Sequence, residues 1–283
     1  MKAYAGSHEN CSRGSLAFAL VAVITIAFGA AGCAKLKARD LLNKGVASFK
    51  DGKYDDSIES FKQAKDLDPT LLNARLYLAT AYATEYIPGA PSDDNVRVGQ
   101  QAISEFQDVL SVDPNNTSAI DGIGSILYNM AGTPFSPEQY AKSKEYHEKH
   151  IALKPDDPEP YYWVGVIDWT LAYRGNAEMR QAYNLQNPKK QVKEIDPLPE
   201  KLRDDYAQKY GATVDEGLKE LQKAVELRSN YADALAYQSL LLRQKADQSD
   251  TATRAGLEKQ ADALLDKVKE IRQQQAAEAE SKS

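Results

Sequence analysis

Three short segments that end in proline recur along this chain, and they constrain its fold more than any other feature. Residues 66–69 read DLDP, residues 111–114 read SVDP and residues 152–155 read ALKP. Each segment follows a stretch in which apolar side chains recur every three or four residues, which is the period of an amphipathic helix. Because proline ends a helix, these segments predict a series of helical units.

The first unit, residues 38–69, divides into two amphipathic helices. Residues 51–53 read DGK and predict a turn between them. Apolar or small residues follow a helical spacing on both sides of this turn, at Leu41, Leu42, Gly45, Val46 and Phe49 before it and at Tyr54, Ile58, Phe61, Ala64 and Leu67 after it. The unit is therefore predicted to be a helical hairpin.

This hairpin resembles a tetratricopeptide repeat. The pattern of that family places a glycine where the two helices approach each other, as at Gly45, and a bulky aromatic residue on the second helix, as at Phe61. A small residue follows three positions later, as at Ala64, and a proline ends the repeat, as at Pro69. The resemblance implies an all-α solenoid of stacked helical hairpins.

The landmarks of this pattern return along the chain and predict about five repeats between residues 38 and 270. The first helices of the later copies are marked by Ala79, Gly124, Gly165 and Leu235, and the second helices by Phe106, Ser143, Leu221 and Ala261. The terminal prolines lie further apart than the family period of about 34 residues. The excess falls between the two helices of a repeat, so we predict insertions inside several repeats, the longest at about 174–211. Residues 271–283 are predicted to be a disordered tail.

The N-terminal segment has the layout of a secretory signal. An apolar run at residues 16–31 follows Arg13 and ends in small residues, and it is shorter than the ~20 residues that a transmembrane helix needs. Residues 30–33 read AAGC and resemble the lipobox of bacterial lipoproteins, in which the cysteine is acylated and the chain is cut before it. The resemblance implies a signal peptide at 1–32, lipid on Cys33 and a tether at 33–37. An uncleaved membrane anchor and an ordinary secreted protein are the alternatives.

The charge of the chain argues against nucleic acid as a partner. The formal net charge is −6, and removal of residues 1–32 would change it to −7, because Lys2, Arg13 and Glu9 would be lost. Binding to phosphates requires a basic face. Attachment to a membrane is therefore expected through lipid on Cys33. Ala34 follows that cysteine, and in the sorting scheme of such lipoproteins this implies the outer membrane, with the protein facing the periplasm.

No catalytic constellation is visible, and we predict that the chain is not an enzyme and uses no metal or cofactor. The strongest candidate is the pair His147 and His150, which lie one helical turn apart with Glu148 between them. Their spacing is one residue short of the metalloprotease motif. Both histidines also stand where the repeat pattern has packing residues, which favours a structural role.

A concave groove is the predicted functional site. In tetratricopeptide proteins, the first helices of successive repeats line a groove that receives a segment of a partner protein. The resemblance places these residues in the groove: Leu42, Val46, Phe49, Leu76, Tyr128, Asn129, Tyr162, Val166 and Trp169. We expect an envelope protein as the partner, with outer-membrane or pilus assembly as one possible setting. The alternative is a small molecule enclosed by the repeats, or inserted segments that fold back and cover the groove.

Overall fold

A computed structural model describes residues 32–281, and within this range the chain is a series of ten α-helices without a β-strand. Helix α1 covers residues 32–50 of the described range. The others are α2 (Tyr54–Leu67), α3 (Leu72–Glu85), α4 (Asp93–Val112), α5 (Thr117–Ala131), α6 (Pro137–Leu153), α7 (Pro158–Gln186), α8 (Glu200–Leu227), α9 (Ala232–Asp247) and α10 (Thr251–Glu280).

The helix boundaries follow from the local sequence. Helices α2, α4 and α6 each end two residues before the proline that the sequence marked as a stop, so these predictions are confirmed. Five of the described helices are preceded by a capping residue. Its side chain accepts a hydrogen bond from a backbone N–H of the first turn, which has no acceptor within the helix. These residues are Ser92, Asn116, Ser136, Asp157 and Asp250.

The helices form five antiparallel hairpins that stack into a solenoid. Each helix from α2 onward packs against its neighbours in sequence, and α3 also contacts α5 while α7 contacts α9. Tyr128 on α5 also contacts Trp163 on α7, so α3, α5, α7 and α9 adjoin one another in an inner layer. This arrangement confirms the predicted all-α solenoid of about five repeats. Repeats of this kind form an extended concave binding surface.

Two glycines of the repeat pattern lie where the two helices of a hairpin come closest to each other. A Cβ atom on Gly45 would overlap the ring of Phe61, and one on Gly165 would overlap the side chain of Leu221. The two helices of a hairpin can approach this closely only because the first helix has no side chain at that point. The prediction that these glycines mark the close approach is confirmed.

The long insertion is mostly helical. It extends α7 to Gln186 and starts α8 at Glu200, which leaves residues 187–199 as the connecting loop. A core cluster of its own, Leu198, Leu202 and Tyr206, anchors this extension. The longest insertion is therefore a pair of lengthened helices with a loop between them.

The prediction of a disordered tail at residues 271–283 is wrong for residues 271–280, because these residues continue α10 to Glu280. Ile271 is buried against the last core cluster, and the residues after it are mainly Ala, Gln and Glu, which are strong helix formers.

Residues 33–37, predicted as a tether, belong to α1, and Cys33 is exposed. Residues 1–31 of the predicted signal peptide lie outside the described residues. None of the helices among residues 32–281 has the length and apolarity required to cross a membrane.

Candidate partner-binding surface

The predicted groove residues near the N-terminus are partly occupied by internal packing. Leu42, Val46 and Phe49 are half-buried on α1 and pack against the first core cluster. Leu76 is half-buried on α3 and packs against the cluster that contains Phe106. These side chains hold adjacent helices together and leave only part of their surface open.

Further along the solenoid, half-buried aromatic rings form a continuous row across the inner helices α5, α7 and α9. We call these six residues the aromatic row: Tyr128, Tyr162, Trp163, Trp169, Tyr173 and Tyr237. Tyr128 lies 5.3 Å from Trp163, measured between ring centroids, and Trp163 lies 5.5 Å from Tyr162. The row continues from Tyr162 to Tyr237 at 5.7 Å.

The last part of the row is formed by Trp169 and Tyr173. Trp169 contacts Tyr237 at 5.3 Å and stacks on Tyr173 at 5.2 Å. Edge-to-face and stacked geometries of this kind stabilise aromatic pairs. Each ring is therefore held by its neighbours, and Tyr162, Trp169 and Tyr237 also pack against a core cluster, while part of each ring remains exposed. Rigid aromatic side chains with open surface are favoured anchors at protein interfaces.

Burial keeps two phenols of the row, those of Tyr162 and Tyr237, neutral. It raises the pKa of Tyr162 above its ordinary value, and the nearby Tyr237 hydroxyl and Asp233 carboxylate raise it further. Burial also raises the pKa of Tyr237. These two hydroxyls can therefore donate hydrogen bonds at neutral pH.

Of the predicted groove residues, Tyr128, Tyr162 and Trp169 belong to this row, and Asn129 is half-buried beside Tyr128 on α5. The assignment of Val166 to the groove is wrong, because its side chain is only 1% exposed. Helix α7 packs against α6, α8 and α9, so residues 164–168 are all buried. Val166 belongs to the core of the fourth repeat.

The long insertion forms part of a cavity of about 780 Å³ at the end of the aromatic row. One wall comes from α7, where Trp169 and Tyr173 line the cavity, and another from α9 and the start of α10. The connecting loop closes the third side with Gln191, Val192, Glu194 and Ile195. Trp169 is thus shared between the aromatic row and the cavity.

Three members of the row were not among the predicted groove residues: Trp163, Tyr173 and Tyr237. Tyr237 lies on the first helix of the fifth repeat, so the repeat pattern contained a signal for it. Tyr173 lies four residues after Trp169, which is one helical turn. The cavity itself had no local signal, because its walls come from segments far apart in sequence.

The two histidines lie in the core. His147 is fully buried, its ring stacks on Trp163 at 5.8 Å between centroids, and a Cβ atom on Gly124 would lie 2.8 Å from it. Burial lowers the pKa of His147 to about 4. His150 Nδ1 lies 2.7 Å from a carboxylate oxygen of Asp121. Among residues 32–281, no group of three or more side chains has the arrangement of a metal site.

A second buried cluster contains the most perturbed carboxyl group. Burial raises the pKa of Asp168 to about 7, although Lys144 Nζ lies 2.9 Å from its Oδ1. Lys144 also contacts Glu216 at 2.8 Å. A perturbed acid can mark a catalytic site when it faces a cleft. Asp168 is completely buried and does not line the cavity, so its role is to hold α6, α7 and α8 together.

Comparisons with known proteins agree with this architecture. The family model of the tetratricopeptide repeat matches residues 41–71, and no curated protein sequence matches this chain. Among solved structures, MamA residues 41-end from Desulfovibrio magneticus RS-1 is 18% identical and has a TM-score of 0.55, covering 84% of this chain and 97% of that one. A second structure of MamA is 14% identical with a TM-score of 0.53, covering 85% and 94%.

These similarities concern one repeat and the overall fold. Residues 41–71 match the tetratricopeptide repeat, and the described chain has the fold of a tetratricopeptide-repeat solenoid. At these identities the structural similarity establishes the fold alone.

Proposed function

We propose that this chain is a lipid-anchored scaffold of the bacterial cell envelope that binds a partner protein along the concave side of its solenoid. The observation that carries the proposal is the aromatic row, because six half-buried rings from three inner helices, α5, α7 and α9, lie in contact with one another. Aromatic residues of this kind dominate the binding energy of protein interfaces.

The openness of this surface favours a protein over a small molecule as the main partner. Small-molecule sites bury most of their ligand in a concave pocket. The aromatic row instead extends from α5 across α7 to α9, which suits an extended segment or a helix of another chain. Repeat solenoids typically act as interaction modules of this type, and we therefore propose an interaction role without catalysis.

The proposed anchor is the lipid on Cys33. Its support is the resemblance of residues 30–33 to a lipobox and the exposure of Cys33 at the start of the described chain. One acyl chain gives only weak membrane binding, so stable attachment would use the several chains found on bacterial lipoproteins. Attachment to the outer membrane, facing the periplasm, and a role in outer-membrane or pilus assembly belong to this proposal.

The anchor is tested by the change Cys33→Ala in the full-length protein. We expect the variant to accumulate as an unprocessed precursor that takes up no labelled fatty acid, whereas the parent protein is labelled and sediments with outer membranes. A variant that is processed and membrane-bound like the parent would contradict the lipoprotein assignment.

The binding surface is tested by the double change Tyr162→Ala and Tyr237→Ala, with Val112→Ala as the matched control. Val112 is an exposed apolar residue on α4, outside the aromatic row. We expect proteins that co-purify with the parent after crosslinking in cells to be lost from the double variant and retained by the control. Equal recovery from all three proteins would argue against the aromatic row as the binding surface.

A further inference from the structure

The cavity beside Trp169 is preformed, because buried side chains hold its loop in place. Arg180, which is 6% exposed, donates from Nη1 to the carbonyl oxygens of Lys193 at 2.7 Å and Asp196 at 3.0 Å. The side-chain amide of Asn184 accepts from the N–H of Val192 at 2.7 Å and donates to its carbonyl at 3.0 Å. The loop is therefore fixed as a wall and leaves the cavity open to solvent on one side.

The polar floor of the cavity is satisfied internally. Asp247 accepts from Asn176 at 2.8 Å, from Arg180 at 2.8 Å and from Arg254 at 2.6 Å. Gln244 accepts from Asn176 at 3.0 Å. Among the described residues, none of the buried side-chain polar atoms without a hydrogen bond belongs to the cavity lining. The buried polar groups of the floor are therefore already paired with one another.

The rim of the cavity provides apolar surface. Leu185 on α7 is 78% exposed and Ile195 on the loop is 82% exposed, and these are the two most exposed large apolar residues of the described chain. Both line the cavity together with Leu240 and Trp169. Because Trp169 also ends the aromatic row, a segment lying along the row would reach this rim without leaving the surface.

The charges of the cavity favour a cation next to this apolar surface. Its three arginines are each paired with a carboxylate, Arg180 and Arg254 with Asp247 and Arg243 with Asp262. Glu194 is exposed and accepts a hydrogen bond from Tyr173 at 3.2 Å, but within residues 32–281 it has no ion pair. The lysines of the same loop do not line the cavity. One carboxylate at the rim is therefore left for a cation of the partner.

We propose that this cavity receives a bulky apolar side chain of the partner segment, with a lysine or arginine beside it that pairs with Glu194. The inference rests on the proposed function, because it assumes that a protein segment lies along the aromatic row. The cavity then acts as the specificity pocket of that surface, while the row supplies sequence-tolerant aromatic contacts.

The test uses a displayed library of random 12-residue peptides selected on purified full-length protein. We expect enriched peptides to share a Leu, Ile, Met or Phe next to a Lys or Arg. Ile195→Glu should weaken the binding of a selected peptide by about tenfold or more, because it places a charge on the apolar rim. Glu194→Gln should weaken it by about threefold to tenfold, and more at low than at high salt. The control Val112→Glu, also at an exposed apolar residue, should leave binding unchanged.

The outcomes separate the cavity from the aromatic row. If Ile195→Glu and Glu194→Gln leave peptide binding intact while the double change Tyr162→Ala and Tyr237→Ala abolishes it, the proposed function stands and the inference about the cavity is overturned. If no peptide is enriched, both fail. If the uncharged probe N-phenyl-1-naphthylamine binds and is lost with Ile195→Glu, yet no peptide is enriched, the cavity takes a free apolar molecule and the inference is likewise overturned.

Discussion

The change Trp169→Ala distinguishes an open aromatic row from a filled core. Trp169 is buried over most of its surface, so its removal loses most of the burial energy of a large side chain, about 1–2 kcal/mol. It also loses the ring contacts with Tyr173 and Tyr237, which together are worth about 1 kcal/mol at the lower end of such pairs. We therefore expect the free energy of unfolding to fall by about 2–3 kcal/mol and Tm by about 4–12 °C.

The assay is urea-induced unfolding followed by far-ultraviolet circular dichroism, with Phe61→Ala as the reference for a core residue. Phe61 is fully buried, so its truncation should cost about 3–5 kcal/mol. The affinity for a peptide selected on the parent protein should fall by about 2 kcal/mol in Trp169→Ala. A loss of stability equal to that of Phe61→Ala, with peptide affinity unchanged, would show that Trp169 is a core residue and would refute this reasoning.

Two further predictions concern buried charge. Because burial lowers the pKa of His147 to about 4 while the unfolded chain titrates near 6.5, only the unfolded state gains a proton between these values. His147 should therefore contribute a fall of about 1.4 kcal/mol in the free energy of unfolding per pH unit as the pH decreases through this window. Burial raises the pKa of Asp168 to about 7 and gives a slope of opposite sign, so the contribution of His147 is measured as the difference between the parent and His147→Phe in urea titrations at pH 7.5 and pH 5. The variant should fold, since Phe61 occupies the corresponding position against Gly45 in the first repeat. Asp247→Ala should lower the free energy of unfolding by about 3–5 kcal/mol, because it leaves buried Arg180 without its carboxylate; a loss below about 1 kcal/mol in urea unfolding would contradict this.

Much of the fold could be predicted because its determinants are local. The first hairpin shows this: Gly45 and Phe61 mark the contact between its two helices, and Pro69 marks its end. The same spacing located the later repeats, since each hairpin repeats the same contacts. Only the ends of elements were misjudged, as at Ile271, whose burial depends on contacts with α9 that a composition argument does not include.

The candidate site could be predicted only in part, because it depends on contacts between distant segments. The repeat pattern identified Tyr162 and Trp169 as residues of inner helix α7, but it could not show that the packing of α7 against α6, α8 and α9 buries Val166. The cavity depends on the ion pair between Arg180 and Asp247, which are 67 residues apart. The spacing of residues within one segment does not predict a contact between segments so far apart in the sequence.

The central claim, that the aromatic row binds a partner protein, is tested most directly by photo-crosslinking in living cells. A benzophenone amino acid would replace Tyr237 in the row or, as the control, Val112 on α4. The account predicts that illumination links the Tyr237 variant to a specific partner of defined mass, and that the Val112 variant gives no such product. The same product from both positions, or none from position 237, would contradict the claim.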